Sequence, residues 1–152
     1  MEVTIKPLQS IDEAPMDLLL LADPSEQKVI NYLREGESFI AEIEDVVVGI
    51  IVIIRKDPDT LEVINVAVRE EWQGKGIGKK LLLRAKQFGI DQKVKRIEIG
   101  TGNSSLPQLA LYQRSGYRIF EIWENYFIAN YDEEIYENGI QCMDMIRLKL
   151  DL

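Results

Sequence analysis

The sequence contains no histidine. That removes the Ser-His-Asp and Cys-His nucleophile systems, an imidazole general base and every His-ligated zinc site. A single cysteine, Cys142, removes intrachain disulfides and CxxC pairs. With no histidine to activate it, Cys142 gives little reason to expect a covalent acyl-enzyme. Acid–base chemistry must fall to carboxylates, tyrosine, lysine, backbone or water, and no metal site is expected. Long apolar runs are also scarce. The longest, Val46 to Ile54, is about half of what a transmembrane helix needs and reads as a buried strand. The first residues, Met1-Glu2-Val3-Thr4, lack the basic and apolar regions of a secretion signal, so a cytoplasmic location is the expectation.

What is present has the size of one domain: 152 residues, 46% hydrophobic and 29% charged. A chain of this length buries roughly 70% of its unfolded surface and needs no metal or disulfide to hold a core. The formal net charge is −8, which argues against nonspecific nucleic-acid binding. The distribution says more than the sum. From Arg69 to Arg96 the chain carries nine basic residues against three acidic ones, a net of +6, while the remainder is −14. One basic island in an acidic protein is either a solvated helix face or the seat of an anionic ligand.

Periodicity and capping signals divide the chain. Val3 to Pro7 reads as a strand. Ser10 caps a helix through Leu20, and Asp23-Pro24 starts a second that stops near Gly36. Ser38 to Glu42 and Val46 to Ile54 form a hairpin around Glu44-Asp45, and Asp57-Pro58-Asp59 turns into a strand from Leu61 to Val68. Gly76 to Phe88 is the clearest helix, with Ile77, Leu81, Ala85 and Phe88 on one face and Gly89 as its stop. Arg96 to Gly100 is a strand. Ser105-Leu106-Pro107-Gln108 has the S-x-x-Q form of a capping box and opens a helix ending at Gly116. Tyr117 to Phe127 and Gln141 to Leu150 are the last strands, joined by an acidic segment. The order β-α-α-β-β-β-α-β-α-β-β, with no repeat or linker, predicts a single α/β domain over residues 1–152.

Between a strand and the best helix lies Gln73-Gly74-Lys75-Gly76-Ile77-Gly78. Glycines allow a sharp turn and close approach of a ligand, and the first amides of the helix point outward at the positive end of its dipole. With Lys75, Lys79 and Lys80 nearby, this is a cradle for phosphate or pyrophosphate. It is not a Walker A loop, which needs GxxxxGK[ST], and its GxGxG spacing in mid-chain departs from the dinucleotide fingerprint.

The string resembles the acetyl-CoA motif Q/R-x-x-G-x-G/A of the GCN5-related N-acetyltransferase (GNAT) family. Downstream, Asn103-Ser104-Ser105 and Leu111-Tyr112-Gln113-Arg114-Ser115-Gly116-Tyr117 resemble that family's N-x-x-A-x-x-L-Y-x-x-x-G-F/Y region, with the alanine displaced in register and Pro107 nearby. The resemblance implies a single GNAT-like domain: a mixed, mostly antiparallel sheet of about seven strands flanked by about four helices. It implies acetyl-CoA as cosubstrate. The pyrophosphate would bind the loop of Gln73, Gly74, Lys75, Gly76, Ile77, Gly78 and Lys79. The pantetheine arm would pair with the strand backbone at Val66, Ala67 and Val68. Asn103 would bond the pantetheine, unless it only makes an Asx turn before the helix.

Acetyl transfer needs a neutral amine, yet an alkylamine is only about 0.04% neutral at pH 7. The leaving thiolate also gains from a proton donor. Tyr112 matches the family's thiolate acid; its alternative is an ordinary core tyrosine. Glu62, eleven residues before Gln73, has the spacing of the catalytic glutamate in the family's histone-acetyltransferase branch. Its apolar neighbours favour a raised pKa, while a water relay or a solvated strand residue are the other readings. Asn65 interrupts the same apolar strand and is a weaker candidate to orient water or substrate. The segment from Glu121 to Asn138 holds six acids and no Lys or Arg, with Trp123, Tyr126, Phe127, Tyr131 and Tyr136 among them. It is expected either to receive a small cationic amine such as a polyamine or aminosugar, or to be a solvated loop or oligomer contact. The expected activity is therefore acetyl transfer from acetyl-CoA to a primary amine by direct attack in a ternary complex. Protein lysine or N-terminal acetylation, and a non-catalytic acyl-CoA-binding module, stand as alternatives. The expected partner is a small-molecule amine, without nucleic acid or membrane, and a homodimer or higher homo-oligomer is left open.

Overall fold

A computed structural model describes residues 2–152; Met1 lies outside the described residues. In chain order the elements are β1 (Thr4–Pro7), α1 (Met16–Ala22), α2 (Glu26–Glu35), β2 (Glu37–Ile43), β3 (Val46–Asp57), β4 (Thr60–Val68), α3 (Ile77–Asp91), β5 (Arg96–Gly102), α4 (Leu106–Arg114), β6 (Arg118–Trp123), α5 (Tyr126–Asn130), β7 (Tyr136–Glu137), β8 (Ile140–Gln141) and β9 (Met145–Asp151). Seven strands form one sheet in the order β1-β2-β3-β4-β5-β9-β6, and β7 and β8 form a separate small hairpin. Every pairing in the large sheet is antiparallel except β4 with β5. This is a single mixed α/β domain, as the element order predicts. Among the described residues no helix is long and apolar enough to cross a membrane.

Each face of the sheet buries its own apolar layer. The alternate residues Ile51, Ile53, Leu61, Val63, Ile97, Ile99 and Leu148 pack with Ile77, Leu81, Leu82 and Ala85 of α3. Ile40, Ile50 and Val52 point the other way and pack with Leu18, Leu19, Val29, Tyr32 and Leu33 of α1 and α2. A register shift separates Val52↔Asn65 from Ile53↔Val63, so β4 carries an extra residue, Ile64. The bulge turns Asn65 and Ala67 toward α1 and α2, and Val66 and Val68 toward α3. Beyond it, β4 and β5 part: their pairing runs only from Thr60↔Arg96 to Val63↔Ile99, although the strands continue to Val68 and Gly102.

Several local expectations shift. The first predicted helix is split. Ser10 caps only a 3-10 turn at Ile11–Glu13, because Pro15 interrupts the run, and α1 begins after it. Ser25, not Asp23, caps α2; Asp23 instead accepts a bond from the Ser25 amide, 3.1 Å. Gly89 does not stop α3, which continues to Asp91. A Cβ there would lie 2.9 Å from Leu152 and 3.0 Å from Ile97, so this glycine lets the helix approach the sheet. Ser105 starts α4 but makes no side-chain capping bond. The acidic connection is not an open loop, because it contains α5 and the β7–β8 hairpin.

Candidate active site

The glycine loop folds as an open cradle. Gly74 and Gly76 adopt φ of +76° and +82°, and a Cβ at either would meet nothing within 4 Å. Gly76 is the N-cap of α3 and has no side chain to satisfy the first amides, while Lys80 already bonds back to the Gly76 carbonyl. The amides just before Lys80 therefore lack helical partners and face the positive dipole end. Lys75, Lys79 and Lys80 are exposed around them. Gln73 donates to the Val68 carbonyl, 3.0 Å, tying the loop to the end of β4. Buried Ile77 anchors the first turn, and Gly78 lies against Leu111 of α4. The uncapped amides, the glycines and the three lysines together fit a phosphate-bearing ligand. A recess of about 150 Å3 beside the helix carries Lys79, Lys86 and Arg114 and extends the positive field.

The second feature is the gap where β4 leaves β5. Amides in a strand point alternately to its two neighbours. Those of Ile64 to Val68 that face away from β3 consequently have no strand partner, an edge able to accept an extended chain. Val66 belongs to this edge and also lines a cleft of about 660 Å3. Leu20 to Pro24, Asn31, Tyr32 and Glu35 form one wall of the cleft, and Tyr126, Phe127, Tyr131, Ile135 and Glu137 contribute to another.

Tyr112 lines the same cleft from α4 and is 4% exposed. Burial pushes its phenol well above the ordinary range, so it keeps its proton. Glu62 does not line the cleft. Its Oε2 is 3.0 Å from Nη1 of Arg147, whose Nη2 is 3.3 Å from Glu98. Lys56 and Arg96 complete the network on Glu98, at 2.7 and 2.9 Å. Burial pushes the Glu98 carboxyl upward, but the Lys56 ammonium, Arg147 and Arg96 outweigh it and hold it below the ordinary carboxylate range. Arg147 also lies over the Trp123 ring, 4.5 Å from its centroid.

Asn103 is engaged within the protein. Its oxygen accepts from the amides of Met143 and Asp144, at 2.8 and 3.0 Å, and its nitrogen donates to the Gln141 carbonyl at 3.0 Å. It fastens the chain between β8 and β9. Ser104 and Ser105 both donate to Glu137, at 2.9 and 2.8 Å, and fasten the start of α4 to β7. Of the six acids between Glu121 and Asn138, only Glu137 lines the cleft. Glu121 instead accepts from Trp123 and Glu134 from Tyr136. Two acids enter from elsewhere: Glu35 at the end of α2, and Asp23 at the α1–α2 junction, a residue that sequence reading treated only as a helix start. Cys142 also lines the cleft; burial pushes its thiol up, away from the nucleophilic thiolate.

An open glycine loop at the start of α3, an unpaired strand edge on β4 and a cleft that joins Val66 of that edge to a buried tyrosine are the features of the site. The family model for the acetyltransferase (GNAT) family matches residues 8–117. The chain is 51% identical over 140 residues to an uncharacterized N-acetyltransferase, YvbK, of Bacillus subtilis, covering 90% of this chain and 88% of that one. A Bacillus subtilis acetyltransferase solved in complex with CoA superposes with a TM-score of 0.95 at 46% identity, over 99% of each chain. A GNAT family acetyltransferase from Elizabethkingia anophelis with acetyl-CoA bound gives 0.94 at 44% identity, over 99% of this chain and 98% of that one. The chain therefore belongs to the GNAT family of acetyltransferases.

Proposed function

We propose that the protein acetylates a primary amine on a small cationic molecule, by direct attack of the amine within a ternary complex with acetyl-CoA. The observation that carries this reading is the shared cleft. Val66, at the unpaired edge, and Tyr112 open into the same volume as Asp23, Glu35 and Glu137, and Lys28 is the only basic residue lining it among the described residues. In this reading Gln73, Gly74, Lys75, Gly76, Ile77, Gly78 and Lys79 hold the pyrophosphate, and the backbone of Val66, Ala67 and Val68 receives the pantetheine arm. When bound, acetyl-CoA supplies an activated acetyl thioester. The two relatives solved with acetyl-CoA or CoA support this ligand.

The protein's part is then to bind, orient and move protons. The walls from α1–α2 and α5–β7 confine the amine near the β4–β5 gap. Tyr112, neutral and buried, donates its hydroxyl proton to the departing sulfur, so no charge has to be buried before the reaction. Cys142 has no role as a nucleophile. Glu62 is given no role as base, since Arg147 holds its carboxylate outside the cleft lining. The amine's proton leaves through water in the open cleft. Asn103 serves the β8–β9 connection and not the ligand.

A panel of amines incubated with acetyl-CoA, with CoA release followed and products identified by mass spectrometry, tests the reading. Acetylation of polyamines or aminosugars in preference to neutral-side-chain amines and lysine peptides supports it. Preference for a peptide, or no CoA release with any amine, refutes it.

A further inference from the structure

The hydrogen-bond polarity of the cleft wall is one-sided. Asn65 is 4% exposed and lines the cleft. Its Nδ2 donates to the Leu19 carbonyl at 3.1 Å and to the Tyr32 hydroxyl at 2.8 Å. A carbonyl can only accept, so the amide's orientation is fixed and the atom left over is the oxygen. Asn65 Oδ1 is buried and has no partner among the described residues. Buried polar atoms in folded proteins are nearly always paired, and this one can be paired only by a donor.

Tyr32 continues the pattern. Its oxygen already accepts from Asn65, so its own proton points onward. Asp23 lines the same cleft and, after burial itself, helps push the phenol up to about 12. The Tyr131 hydroxyl feels the same carboxylate from the opposite wall. The Asn65 amide protons are spent on Leu19 and Tyr32, and Asp23 has none to give, so the groups left for a ligand are acceptors: an amide oxygen and a carboxylate. Tyr126, Phe127 and Tyr131 supply aromatic surface across the cleft, and aromatic faces attract cations.

We infer that Asn65 Oδ1 and the Asp23 carboxylate, which line one cleft with Tyr32, form the seat for the acceptor's charged nitrogen. The inference rests on the acetyl-transfer reading above and gives it specificity-determining residues. Asn65 immediately precedes Val66, so a nitrogen held at its oxygen lies beside the strand edge assigned to the pantetheine arm. Asp23 supplies the charge that distinguishes an ammonium from a neutral N–H group.

The test is calorimetric titration of spermidine and of glucosamine into the full-length protein saturated with CoA. The wild type is expected to bind at least one of them. Asp23→Asn, a surface isostere, should weaken that binding about tenfold, the scale of one charge-assisted hydrogen bond. Asn65→Leu should weaken it at least as much, and CoA affinity should be unchanged in both variants. With the bound amine as acceptor, Asp23→Asn should raise its KM with little change in kcat. If Asn65→Leu does not fold, Asp23→Asn decides alone. Wild-type binding with undiminished affinity in Asp23→Asn overturns this seat while leaving amine acetylation intact. Failure of the wild type to bind either probe, alongside CoA release with neutral acceptors, overturns both the seat and the cationic acceptor.

Discussion

A phenol buried as deeply as Tyr112 holds its proton across the physiological range and can release it only to a strong base formed beside it. A thiolate expelled into the same buried site is itself made more basic by lost solvation, which narrows the gap to the phenol and lets Tyr112 donate as the negative charge develops. Tyr112→Phe should therefore lower kcat by roughly 10²-fold with little change in the KM for acetyl-CoA, because the proton is needed only in the transition state; steady-state kinetics at saturating amine reads this directly. Glu62→Gln should leave the pH profile of kcat unmoved, and a lost or displaced acidic limb would return Glu62 to the chemistry. In the loop, Gly76 sits at a φ of +82° with open space where a side chain would project. Gly76→Asp combines backbone strain with a negative charge in the cradle. Calorimetry should show CoA binding abolished while circular dichroism remains native. The functions of Gly76 and Tyr112 could be proposed from sequence because each is embedded in a local string. Asp23 and Tyr32 could not be, because their meaning comes from Asn65, more than thirty residues away.

At the scale of elements, the charge network around Arg147 joins β3, β4, β5 and β9 through Lys56, Glu62, Arg96 and Glu98. Arg147 is 2% exposed and Glu98 1%. Arg147→Met would leave two carboxylates facing each other with half their compensation gone and should cost about 3–5 kcal/mol, measured by urea denaturation. Acid titration offers an independent check. The folded pKa of Glu98 is depressed, so it contributes stability above its unfolded value of about 4.3, and that contribution is lost as pH falls through the folded value. The melting temperature should fall below about pH 4, and less steeply in Glu98→Gln relative to its own neutral-pH value. Element order was legible because apolar periodicity and turn residues such as Glu44-Asp45, both at positive φ, are local signals. The Ser105 capping box was misleading. The Ser105 hydroxyl makes no capping bond and instead donates to Glu137, 32 positions away, a contact of which sequence spacing carries no trace.

Across the whole molecule, charge is sorted by ligand. The basic island surrounds the cradle, and the acids that line the cleft are Asp23, Glu35 and Glu137. In the proposed reading, two oppositely charged ligands are drawn to the loop and to the cleft, and both attractions weaken with salt over a screening length near 10 Å at 0.1 M. The kcat/KM for a polycationic amine should fall as ionic strength rises. Neutralising Asp132, Glu133 and Glu134 together should alter its KM little at low salt, in contrast to Asp23→Asn; a large effect of the triple variant would restore the acidic connection as the recognition surface. Counting acids located a negative segment but not the face it presents. Folding turns most of that segment away from the cleft and brings in a carboxylate from the α1–α2 junction.

The extra residue in β4 acts on the strand as a frameshift acts on a message. Upstream of Ile64, the odd-numbered Leu61 and Val63 face α3; downstream, the even-numbered Val66 and Val68 do. Deleting Ile64 would restore the plain count. It would leave Asn65 opposite Val52 on the α1–α2 side and Val66 opposite Ile51 on the α3 side in an unbroken ladder, and by removing the local kink would favour continued pairing of β4 with β5. Any substitution at 64 preserves the frame. The position is therefore expected to tolerate changes of identity but not of number, because the kink it makes, and not the faces of its neighbours, is what parts β4 from β5 and leaves the strand edge open.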